Sequence, residues 1–120
     1  MKGIENRQLA IVLLVHKKGN VLKKAVNTEK KGMYNAYWLE SENGTVLPCE
    51  ISKKIGESLE KDGWFIAGDG IQKSAYTLHL TERAESQLAF WEASPPYARE
   101  MDSLLKVAYK LMRKAEKRVM

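Results

Sequence analysis

Residues 49–88, CEISKKIGESLEKDGWFIAGDGIQKSAYTLHLTERAESQL, constrain the fold more than any other stretch of the chain. Ile51, Ile55 and Leu59 recur at four-residue steps and share one face of a helix, while Lys53, Glu57, Glu60 and Lys61 fall on the other. Gly63 gives that helix an exit. An apolar strand follows, then Gly68-Asp69-Gly70, where two glycines supply positive φ at low cost for a tight turn. Beyond the turn, Tyr76, Leu78 and Leu80 alternate with Ala75, Thr77 and His79, the period of a strand with one buried side. The expected unit is a helix feeding a two-stranded antiparallel hairpin, with a further helix behind it.

Two segments inside this stretch carry a resemblance. LEKDGWFI, from Leu59 to Ile66, and LTERAESQL, from Leu80 to Leu88, resemble the recognition-helix exit and the post-wing helix of MarR-like and PadR-like winged helix-turn-helix regulators. They stand in the same order and at similar spacing, and together cover about a third of the chain. Ala84 departs from the pattern, which has glycine there. The resemblance implies that the helix from Pro48 to Asp62 enters a groove of double-stranded DNA, that the hairpin is a wing, and that the chain regulates transcription. Such chains carry another helix just before the recognition helix. Between Pro48 and Leu59 there is room for only one, so the earlier helix must come from residues 33–40 or from the segment 20–27.

Upstream, Asn6 is an expected N-cap for a helix to about Lys18, stopped by Gly19. Leu9, Val12 and Leu13 line one side, and Ile11, Leu14 and Val15 make the helix apolar nearly all round, which places it centrally. His16 near its end reads as a capping or packing residue, with no ligand partner at metal spacing. Residues 17–32 hold Lys17, Lys18, Lys23, Lys24, Lys30 and Lys31. They read either as a solvated loop with a short helix ending near Asn27, or as a basic patch against phosphates. Residues 33–48 admit two readings. A helix would pack Tyr34, Tyr37 and Trp38 inward; alternatively Glu42-Asn43-Gly44 turns between two short strands.

Pro48 suits the first turn of the next helix, and Glu50 there favours its dipole; Gly56 in its interior costs about 1 kcal/mol relative to alanine. Trp64 and Phe65 read as core rather than as base-stacking platforms. Thr81 caps a helix from Glu82 to about Ala93 before Ser94-Pro95-Pro96 interrupts the chain. Met101, Leu104, Leu105, Ala108, Leu111, Met112, Ala115 and Val119 then follow helical spacing to the end, a helix that either pairs with a symmetry mate or folds back on the chain's own first helix.

Net charge divides unevenly. Residues 1–31 carry +6, residues 32–105 carry −6 and residues 106–120 carry +5, the total being +5. A basic balance invites a nucleic-acid partner, although the helix that would read it sits in the acidic middle. With Cys49 alone no internal disulfide forms, and with only His16 and His79 besides, no metal set is recognisable. No apolar run is long enough to span a bilayer, and Leu9–Val15 lacks a signal-peptide cleavage pattern, which favours a cytoplasmic protein without membrane contact. No Ser-His-acid order, Cys-His pairing or paired-carboxylate spacing supports an enzyme, and no cofactor is implied.

The expectation is thus an α+β, mostly helical winged helix with a two-stranded wing and a long C-terminal helix. Residues 1–94 form the winged-helix domain and residues 95–120 a dimerisation helix. Ser52, Lys53, Lys54, Lys61, Gln72 and Lys73 are the candidate DNA contacts. Met101, Leu104, Leu105, Ala108, Leu111, Met112 and Ala115 are the candidate homodimer seam. One alternative is a winged-helix module that binds a basic protein through its acidic middle. Another is a plasmid or phage DNA-organising protein.

Overall fold

The computed structural model describes residue 1 and residues 3–26, 36–68, 70 and 75–119, with side chains described as far as residue 115. In chain order the elements are α1 (Asn6–Lys18), β1 (Val21–Ala25), β2 (Tyr37–Glu40), α2 (Lys53–Lys61), β3 (Phe65–Ala67), β4 (Ala75–Leu80), α3 (Glu82–Glu92) and α4 (Pro95–Val119). The strands form one antiparallel sheet in the order β2-β1-β4-β3, so the chain is α+β.

Helix α1 buries Gln8, Leu9, Ile11, Val12, Leu13 and Leu14, as a helix apolar on most sides must. Its cap lies one residue before the expected Asn6. The backbone N–H of Glu5 donates to Gln8 Oε1 at 3.0 Å, one arm of a capping box. Gly19 ends the helix in the left-handed region, at φ 69°.

The sheet is where the structure departs furthest from the sequence reading. Residues 21–25 are a strand rather than part of a short helix over 20–27, and residues 37–40 are a strand rather than the helix that would precede a recognition helix. Leu, Lys, Lys and Ala are all good helix formers, so propensity alone favours a helix at 22–25. Position overrides it. β1 is a central strand whose Leu22 pairs with Leu39 on one side and Leu78 on the other. Its backbone groups are satisfied from both neighbours while three leucines line up on the buried face. The extended reading of residues 33–48 is the one that fits. Glu40 bridges to Val46 around a turn in which the Gly44 N–H donates to the Ser41 carbonyl at 2.9 Å. β3 and β4 pair as expected, Phe65 opposite Leu80 and Ile66 opposite His79, but within a four-stranded sheet rather than a two-stranded wing.

Leu22, Leu39, Leu78 and Phe65 lie in the same core as the apolar residues of α1, so the helices cover that face of the sheet. On the opposite face Lys23, Trp38 and Thr77 are half-buried, and His79 and Ile66 are exposed. Trp64 and Trp91 stack with ring centroids 5.7 Å apart and join the start of β3 to α3. Both are buried, as is Phe65, in accord with a core reading. Thr81 caps α3 as expected, its hydroxyl accepting from the Ala84 N–H at 3.1 Å.

Helix α4 starts at Pro95 and packs on α1 and α3. Met101, Leu105 and Met112, assigned by spacing to a dimer seam, are 0 %, 7 % and 8 % exposed and belong to the chain's own core. The helix folds back and uses its most apolar face internally. Leu104 and Ala108 are half-buried at the margin of that core, Ala115 is half-buried, and Leu111 is exposed.

Candidate nucleic-acid interface

Helix α2 is shorter than the expected Pro48–Asp62. Residues 46–51 run beside β2 instead, with Val46 bridging to Glu40 and Ile51 to Tyr37. Ser52 therefore becomes the N-cap, its hydroxyl accepting from the Ile55 N–H at 3.2 Å. The capping hydroxyl accepts from the backbone and keeps its own proton to donate. Gly56 and Leu59 form the buried side of the helix.

The seating of α2 on the sheet depends on Gly56. A Cβ built on that residue would stand 2.2 Å from Cδ2 of Tyr37, well inside van der Waals contact. The glycine that weakens the helix in isolation is thus what lets the Tyr37 ring pack against it. From there the Tyr37 hydroxyl donates to Glu60 Oε2 at 2.6 Å, and Lys24 Nζ reaches the same oxygen at 2.9 Å. Lys24 also sits 5.8 Å from the Tyr37 ring centroid. Strands β1 and β2 and helix α2 meet at one carboxylate.

Burial pushes the Tyr37 phenol far above its ordinary range, and the hydrogen bond to Glu60 and the charges of Glu60 and Glu57 push the same way. Since the folded state holds this proton more tightly than the unfolded chain, the contribution is complete below the unfolded pKa of about 10 and falls as pH rises beyond it. Stability should therefore decline above about pH 10, and Tyr37→Phe should flatten that decline. Chemical denaturation at several alkaline pH values measures it. Absorbance titration should show Tyr37 ionising only as the protein unfolds. An unchanged alkaline slope in Tyr37→Phe would remove the phenol as its cause.

A second polar tie joins α1 to α2. The buried Gln8 side chain donates from Nε2 to Ser58 Oγ at 2.8 Å and to Asp62 Oδ2 at 3.2 Å. Beside it runs a groove of about 720 Å³ whose walls include Arg7, Ser52, Lys54, Ser58 and Asp62.

On the outward side, Lys54 and Lys61 are exposed and form no ion pair among the described residues. Lys53 lies 3.9 Å from Glu57 one turn on. Such an exposed pair is worth about 0.5 kcal/mol or less, so it yields readily to a stronger anion. Gln72 and Lys73, the expected wing contacts, lie outside the described residues, as do Lys30 and Lys31. The other lysines of the proposed basic patch do not converge. Lys17 pairs with Asp102 at 3.2 Å, Lys18 stands over the Tyr109 ring, Lys23 donates to Thr77 Oγ1 and Lys24 serves Glu60. Alternation along β1 sends Lys23 and Lys24 to opposite faces of the sheet. His16 bonds Glu92 at 2.8 Å, a link between helices.

Among the described residues no His, Cys, Asp and Glu cluster could hold a metal, and no helix is long and apolar enough to cross a membrane. Burial, with a smaller effect of Glu50, raises the Cys49 thiol above its ordinary range, which disfavours the reactive thiolate. Comparison with protein-family models, with curated proteins and with solved structures finds no match to this chain.

Proposed function

We propose that the chain is a winged-helix protein that binds double-stranded DNA through α2 and regulates transcription. The architecture supports the reading as far as a helix, α2, that runs directly into the antiparallel β3–β4 pair beside β1. It differs from an ordinary helix-turn-helix in having β2 where part of the preceding helix was expected.

The observation that carries the reading is the disposal of acid on α2. By sequence, Glu57, Glu60 and Asp62 oppose any approach of phosphate. In the fold Glu60 is engaged by Tyr37 and paired with Lys24, while Asp62 accepts from the neutral Gln8 amide and stays exposed. Lys53, Lys54 and Lys61 then outnumber Glu57 and Asp62, and Arg7 lines the same groove as Lys54. A positive helix face beside an open groove suits backbone phosphates, with side chains in reach of base edges. The rival, an acidic face for a basic protein partner, loses Glu60 to Lys24, and its Asp69 lies outside the described residues.

Binding to random-sequence duplex DNA across a salt series tests this. Affinity should fall steeply with salt, and Lys53→Ala, Lys54→Ala and Lys61→Ala together should lower the slope of log K against log salt by about 2 to 3. Circular dichroism of the triple variant should be unchanged, because these side chains face outward. Absence of binding at low salt would sink the proposal and turn attention to protein partners. A marked preference for particular sequences separates a regulator from a DNA-organising protein.

A further inference from the structure

The outward side of α4 carries a second apolar stripe that the chain's own core leaves open. Val107 is 53 % and Leu111 60 % exposed. With the half-buried Leu104, Ala108 and Ala115 they recur at three- and four-residue steps, one continuous strip along the helix. Beside the N-terminal half of this strip lies a groove of about 560 Å³ between α1 and α4, with Met1, Leu9, Leu104 and Val107 among its walls. A ridge and a hollow side by side on one surface are self-complementary. That is the requirement for a two-fold contact in which each copy offers the same patch.

We propose that α4 packs antiparallel against α4 of a second copy, the two-fold axis passing between Val107 and Ala108. Leu104 of each copy then meets the partner's Leu111, which enters the groove beside it. Charge sets the direction. Glu100 precedes the stripe, while Lys110 and Lys114 flank its later part, all three exposed and in no ion pair among the described residues. Parallel pairing would hold Glu100 and the partner's Lys114 about 21 Å apart along the axis and on opposite sides of the seam, so neither would meet its opposite charge. Antiparallel pairing sets Glu100 beside the partner's Lys114, twice over by symmetry, because the two residues lie on the same flank of the stripe. Apolar contact supplies the affinity, and the charges favour the antiparallel orientation. This pairing stands independently of the DNA reading.

Sedimentation of the full chain at micromolar concentration should give a dimer. Leu111→Glu should give a monomer with unchanged circular dichroism, since that side chain faces solvent in the single chain. Glu100→Lys should weaken self-association, and adding Lys114→Glu should restore it. Orientation is read by cross-linking in a Cys49→Ser background. Leu104→Cys and Leu111→Cys chains, mixed under mild oxidation, should give a covalent dimer, and neither should do so alone. In an antiparallel pair the two 111 positions are offset by about 10 Å along the axis, too far for a disulfide. A monomeric native chain, a dimer that survives Leu111→Glu, or efficient self-cross-linking of Leu111→Cys would each overturn the proposal.

Discussion

Gly56→Ala should destabilise this protein by about 2 kcal/mol, lowering the melting temperature by roughly 8 °C, although the same change stabilises an ordinary helix. Helix propensity favours alanine by about 1 kcal/mol. Against that stands a methyl group forced to 2.2 Å from the Tyr37 ring, on a helix pinned to the sheet through Glu60. Neither partner can move alone. The ring is 1 % exposed and sits on β2, and the helix is held at its other side by Gln8. Overpacking of this kind costs about 1 to 3 kcal/mol beyond any local gain. The control is Tyr37→Leu, which removes the ring. In that background Gly56→Ala should be neutral or stabilising, so the two changes couple strongly in a double-mutant cycle. Thermal melts of the four proteins decide it, and a more stable Gly56→Ala in the native background would show that the ring does not seat there.

Met101→Ala should cost about 3 kcal/mol, while Leu111→Ala, measured at dilution low enough for the single chain to dominate, should stay within about 0.5 kcal/mol. The two residues have similar character and lie on one amphipathic helix. They differ in what covers them. Met101 is fully buried among residues of α1 and α3, so its truncation leaves a cavity in a packed core. Leu111 is largely exposed and its truncation leaves none. Denaturant titrations of both variants measure the contrast. Equal costs at dilution would mean that α4 does not fold back on its own chain as described.

That contrast also marks a limit of periodicity. The spacing of Met101, Leu104, Leu105, Ala108, Leu111 and Met112 identifies an amphipathic helix without ambiguity. It cannot divide one broad apolar surface between the chain's own core and a partner, because both uses need the same residue types at the same steps. Here the strip facing α1 and α3 is spent internally and only the flank with Val107 and Leu111 remains open.

The candidate interface was legible to a similar degree. Lys53, Lys54 and Lys61 follow from helical spacing alone, and the structure keeps them on the outward side. Their acidic neighbours could not be sorted from sequence. Glu57 and Glu60 are both helix surface by spacing, yet only Glu60 lies where Tyr37 and Lys24 can reach it. Those partners come from strands 23 and 36 residues away in the chain. The capping role of Ser52 was not legible because it depends on where α2 begins, which the bridge from Ile51 to Tyr37 decides.

The sequence by itself determined the elements whose signals are local: α1 with its glycine stop, the β3–β4 pair, the threonine cap of α3 and the long final helix. Each depends on residues a few positions apart. Only the tertiary structure decided that residues 21–25 and 37–40 are strands. Leu-Lys-Lys-Ala favours a helix when taken alone, and becomes the centre of a sheet because Leu39 and Leu78 are brought to either side of Leu22. The same holds for Gly56, a weak point in an isolated helix and a necessity beneath the Tyr37 ring. Strand pairing and close packing join residues distant in the chain, so their energies are absent from any short window of sequence.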